Sequence, residues 1–141
     1  MTVTRIYVPL NAMMLRVLDR DHSLSELPIL AYAVTEAVRA AARGAGQDEW
    51  EYTALSDAVR ASAVLLTSEE SRRIVAAADV SDEAVGPPVP TSAIDESAVT
   101  VSEPVALNRI ASFHVDGDNS SEDDELLWYD VTELPVILAL L

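Results

Sequence analysis

The chain contains no cysteine. That excludes disulfides, thiolate nucleophiles and thiolate metal ligation, and it fits a reducing compartment. Lysine is absent as well, so all nine basic residues are arginine. Without lysine no Walker-type phosphate loop can form. Gly44-Ala45-Gly46 lacks the third glycine and the preceding strand of a dinucleotide loop. Aromatic residues make up only 5%, so a core has to be built from small side chains around a few bulky anchors. No stretch approaches the ~20 apolar residues of a membrane span. The N-terminus, with Arg5 among alternating apolar residues, has no secretory apolar core. These absences point to the cytoplasm, with no cofactor and no membrane implied.

What is present is a 141-residue chain, half of it hydrophobic, with a formal charge of −15. That length suits one domain, taken as 1–141, with a real core. The charge is unevenly placed. Residues 1–75 carry eight arginines against ten acids, whereas residues 76–141 carry Arg109 alone against fourteen acids. One face of the domain should therefore be strongly negative. Such a surface repels nucleic acid phosphates and suits a protein with a basic surface, or serves solubility. A GC-rich coding bias or a salt-adapted surface would each account for arginine without lysine.

In chain order, Thr4–Leu10 alternates as a first strand ended by Pro9, and Asn11 caps a helix over Ala12–Leu18. Ser23-Leu24-Ser25-Glu26 has capping-box spacing, with Pro28 limiting any helix to one turn. Ile29–Val34 is a strand, and Thr35 caps a helix over Glu36–Arg43. Asp48 caps a longer helix to about Leu66, with Leu55, Ala58, Val59, Ser62 and Leu66 on its inner face. Arg72–Val80 is a buried strand, followed by a flexible connection over about 81–97. Ala98–Val101 and Ser112–Val115 are strands on either side of a turn of helix at Glu103–Ile110. A second flexible, acidic loop covers about 116–125. Leu126–Val131 reads as a central strand, and Thr132 caps a final helix, Glu133–Leu140, that tolerates Pro135 in its first turn. The sum is an α+β (α/β-like) domain with a mixed sheet of about five to six strands and helices mainly on one face.

The stretch Glu125-Leu126-Leu127-Trp128-Tyr129-Asp130-Val131-Thr132-Glu133-Leu134-Pro135 resembles a family of short, acidic, uncharacterised actinobacterial proteins. Arg5-Ile6-Tyr7-Val8-Pro9, Ala31–Thr35 and Phe113-His114-Val115-Asp116 agree with it, so the likeness spans nearly the whole chain. The resemblance implies a cytoplasmic, GC-rich source and supplies no catalytic residues.

Several patterns could carry chemistry. His114 and Asp116 point to one side of a strand, and with Asp118 they could ligate a metal in a metal-dependent hydrolase. Asp116, Asp118 and Ser120 match the first ligand spacings of a calcium loop, but Ser121 stands where glycine is needed and Leu127 where the bidentate glutamate belongs. An ordinary Asp-Gly turn accounts for the same residues. Asp79 and Asp130 end apolar strands and could serve as raised-pKa acids, or simply return the chain to solvent. Arg72-Arg73 could grip an anion, or balance Glu69 and Glu70. Trp128 and Tyr129 face opposite sides of their strand, leaving one to anchor a partner, and Trp50 is similarly ambiguous. With no nucleophile elbow and only two histidines, catalysis is not indicated. The reading that follows is a non-enzymatic interaction or regulatory protein, contacting a basic partner through Asp123, Asp124, Glu125, Trp128 and Tyr129. A nucleic-acid mimic is a further alternative.

Overall fold

A computed structural model describes residues 2–88 and 95–141. Its centre is β1 (Val3–Leu10), which pairs antiparallel with β3 (Ile29–Ala33) on one side and with β4 (Ile74–Ser81) on the other. Pro9 lies inside this strand at a tolerable place. The paired register with β3 ends at Tyr7, so the N–H that proline lacks is not needed on that side. The sheet continues through β6 (Ala98–Val101) and β5 (Val85–Gly86) at one end, and through β8 (Ile110–Val115) and β9 (Leu127–Asp130) at the other. Its seven strands run in the order β5-β6-β3-β1-β4-β8-β9, and every ladder is antiparallel. A separate two-stranded pair joins β2 (Ser23–Leu24) to β7 (Val105–Ala106).

The α+β class holds, but the sheet is antiparallel throughout rather than mixed, and there are more strands than the five to six expected from the sequence. The additions are β2, β5 and β7, each only two residues long, too short to show alternation. Ser23 starts β2 rather than capping a helix, and Glu103–Ile110 holds β7 and a 3-10 turn, Leu107–Arg109, in place of the helical turn.

Helices cover both faces rather than mainly one. α1 (Ala12–Asp21) starts where expected, with the Asn11 carboxamide oxygen accepting from the Met14 N–H at 2.9 Å. The Glu70 carboxylate accepts from the Ala12 N–H at 2.7 Å, so the same helix start also receives a negative charge. α1 and the C-terminal α4 (Leu134–Leu140) press Leu15, Leu18, Leu134 and Ile137 against Ile6, Val8, Ile74, Phe113 and Val115. Thr35 caps the short α2 (Glu36–Ala41) by accepting from the Val38 N–H at 3.1 Å.

The opposite face receives α3 (Gln47–Val64), whose Ala54 and Ala58 pack on Tyr7, Val75 and Ala77. Gly46, not Asp48, is its N-cap residue. Its inner face is more polar than the sequence suggests. Asp57 is buried there and accepts from the Ser97 hydroxyl at 2.6 Å, and Ser62 donates to the Leu10 carbonyl at 2.7 Å. Ser62 also accepts from the Ile74 N–H at 2.9 Å. One hydroxyl thereby bridges the end of β1, the start of β4 and the helix, satisfying backbone groups that would otherwise be buried unpaired.

Among the described residues no helix is long and apolar enough to cross a membrane. Residues 89–94 of the expected 81–97 connection lie outside the described residues.

Candidate functional site

Expected as a central strand, β9 is instead the last strand of the sheet, paired only with β8. Alternation in sequence is the same for an edge strand and a central one, which is why the position was not legible. The register sets His114 opposite Trp128 and, one strand further in, Val75 opposite His114. Directly opposed residues share a face. Trp128 and His114 therefore lie on the side where α3 covers Val75, while Phe113 and Tyr129 lie on the side of α1 and α4. Tyr129 is half-buried and packs against that core. Trp128 is 61% exposed.

The backbone of the acidic loop before β9 is held from inside, chiefly by Arg73. Arg73, buried at the start of β4, grips the buried Asp116 carboxylate with Nε and Nη2, both at 2.8 Å. The same guanidinium donates to the carbonyls of Ser121 (2.8 Å), Glu122 (2.9 Å) and Asp124 (3.1 Å). The Asp116 carboxylate also accepts from the Arg73 N–H at 2.8 Å. A planar guanidinium can satisfy a carboxylate and several carbonyls at once, which an ammonium cannot do in this geometry. That bond to Asp116 outweighs the cost of burial and raises the Arg73 pKa further above its ordinary value. Arg72 donates to the Asp116 carbonyl at 2.8 Å and pairs with Asp118. The arginine pair thus binds acids more than forty residues away, not the neighbouring Glu69 and Glu70; the 43-residue separation carries no local signal.

These partners change the standing of the expected metal ligands. Asp116 is spent on Arg73 and Asp118 on Arg72. Among the described residues no group of three or more His, Cys, Asp or Glu side chains could hold a metal ion. His114 sits alone, and its pKa is lowered by burial and, secondarily, by the positive charge of Arg5.

The loop acids differ in their freedom. The Asp124 carboxylate accepts from the Ser121 N–H at 2.8 Å, which closes a local turn. Glu125 accepts from the Tyr52 hydroxyl of α3 at 3.3 Å. Asp123 is exposed and makes no hydrogen bond or ion pair among the described residues. At the far end of β9 it is Asp130, not Thr132, that caps. Its carboxylate accepts from the Thr132 N–H at 2.9 Å while Glu133 takes the Asp130 N–H at 3.0 Å, a reciprocal capping box ahead of α4. The Asp130 pKa is lowered by these Thr132 bonds, so it is no raised-pKa acid.

Asp79, the other candidate acid, makes a bidentate pair with Arg5 at 2.8 and 3.0 Å across the β1–β4 ladder. Trp50 is occupied structurally: its indole N–H donates to the Ala42 carbonyl at 3.0 Å, and the Arg39 guanidinium lies 5.8 Å from its ring centroid. Sequence reasoning missed Arg5, Glu51 and Tyr52, which border Trp128's face from β1 and α3. Only the register and helix placement bring them there.

The site is thus an acidic loop tied down from inside, running into an edge strand with an exposed indole. The chain belongs to a family of unknown function, DUF6912, which matches residues 4–138. No curated protein and no solved structure matches the chain.

Proposed function

We propose that this protein is a non-enzymatic interaction module that offers its acidic C-terminal region to a protein with a basic surface, in an actinobacterial cytoplasm. The carrying observation is the Arg73 anchor. Arg73 binds three loop carbonyls from inside, so the backbone between Ser121 and Asp124 is ordered before any partner arrives. Pre-ordering lowers the entropic cost of binding. Charge at the rim acts chiefly on encounter rate and partner choice, so the association should weaken steeply with salt. Asp123 is the principal contact in this reading, with Asp124, Glu125 and Trp128 beside it.

Quantitative affinity capture with the tagged full chain in its native host tests the proposal. A basic partner should be retained by the wild type, released by salt, and depleted by D123N/D124N/E125Q. Capture that is indifferent to neutralising those three acids would overturn it.

A further inference from the structure

The α3-side face of β8 and β9 is a strip of sheet whose cover thins outward: Ser112 on β8 is still buried, whereas Trp128 on β9 is exposed. The rows Val75–His114–Trp128 and Ala77–Ser112–Asp130 cross it side by side. α3 seals the row starts Val75 and Ala77, which are fully buried, whereas the row end Trp128 is 61% exposed. Leu126, just before the strand, is half-buried against the α3 cluster. Trp128 is therefore a flat, exposed indole at the margin of a packed surface.

The charge around that indole identifies what suits it. Asp130 follows Trp128 by two residues on the strip, its carboxylate held by Thr132, and Asp79 lies further in, on the same face of β4. Glu125 and Glu51 stand along its α3 border: Glu125 is bonded to Tyr52, and Glu51 is near enough for its charge to act on both Tyr7 and Arg5. Arg5 is the cation among them and is already committed to Asp79 in a bidentate pair. Carboxylates are thus in excess. That repels phosphates, and it disfavours a second copy, which itself carries −15. The group that meets both features is a guanidinium, whose flat face stacks on an indole while its edge donates to carboxylates. An ammonium satisfies the carboxylates but has no plane to stack. The chain already uses this pairing internally, with Arg39 over Trp50.

We propose that the Trp128 strip docks an arginine-bearing segment of a partner protein, one arginine stacking on the Trp128 indole between the strip's carboxylates. This rests on the acidic-surface reading above and goes beyond it, since mere charge attraction would not distinguish arginine from lysine.

The test is fluorescence anisotropy of the full chain with two labelled synthetic peptides, six Arg-Gly repeats and six Lys-Gly repeats, at ~150 mM salt. The arginine peptide should bind roughly three- to fivefold tighter than the lysine peptide. W128A should abolish that preference while leaving the lysine peptide's affinity unchanged, and W128F should retain part of it. D123N/D124N/E125Q should weaken both peptides together. Equal binding of the two peptides, or a preference that survives W128A, overturns the arginine site and leaves the acidic-surface reading standing. Binding of neither peptide overturns both.

Discussion

The two faces of the sheet are built on opposite policies. Under α1 and α4, Ile6, Val8, Leu10, Phe113 and Val115 form a closed apolar layer, all essentially without solvent exposure. Under α3, the residues that alternate with them are Tyr7, Val75, Ala77, Ser112, His114 and Trp128, and the cover thins outward: Ser112 on β8 is still buried, His114 is half-buried and Trp128 on β9 is exposed. Small side chains on β4, Val75 and Ala77, let α3 approach closely, but they supply little apolar area for holding a second helix over β8 and β9. Stability should therefore reside on the first face, and recognition on the second.

That division can be broken by mutation. The largest effect expected is Phe113→Ala, which removes a fully buried anchor of the closed face and should cost about 3–5 kcal/mol in urea denaturation. Asp116→Ala should follow at about 3 kcal/mol, because it strands the buried Arg73 guanidinium with carbonyls alone. Hydrogen exchange should then show the amides of residues 121–124 losing protection.

A smaller, pH-dependent effect belongs to the open face. His114 has a folded pKa below its ordinary value, so protonation favours the unfolded chain. Its contribution is intact above the ordinary imidazole pKa of about 6.5 and is lost as pH falls through the lower folded value. His114→Gln should flatten that part of the stability–pH profile, and an unchanged slope would assign it to other groups. The smallest effect is Trp128→Ala, expected within about 0.5 kcal/mol of wild type. Were it to cost as much as Phe113→Ala, the contrast between the faces would be mistaken.

What was legible in the sequence was whatever local chemistry dictates. Asn11 and Thr35 cap the helices they precede, and Ala98–Val101 is a strand with those bounds. Thr132 and Asp130 are both competent caps two residues apart, and only the Glu133 side chain reaching back to the Asp130 N–H decides between them. The acidic run and the exposed aromatic were visible as candidates. Their support was not, because Arg73 meets Asp116 and the loop carbonyls across the β4–β8 ladder, a relation of tertiary register. Which of Trp128 and Tyr129 faces outward was likewise undecidable until Val75 fixed the side on which α3 lies.

The reciprocal cap at the end of β9 has a consequence for behaviour in concentrated solution. A terminal strand is a template on which other chains can stack, and long, flat, apolar edges nucleate aggregates. Here one border strand is two residues long, and the other is four residues long with its final N–H already claimed by Glu133. Acids precede that strand from Glu122 to Glu125, so an approaching edge of the same protein meets repulsion before it finds a donor. These features disfavour sheet polymerisation through β9, the border that carries the exposed indole.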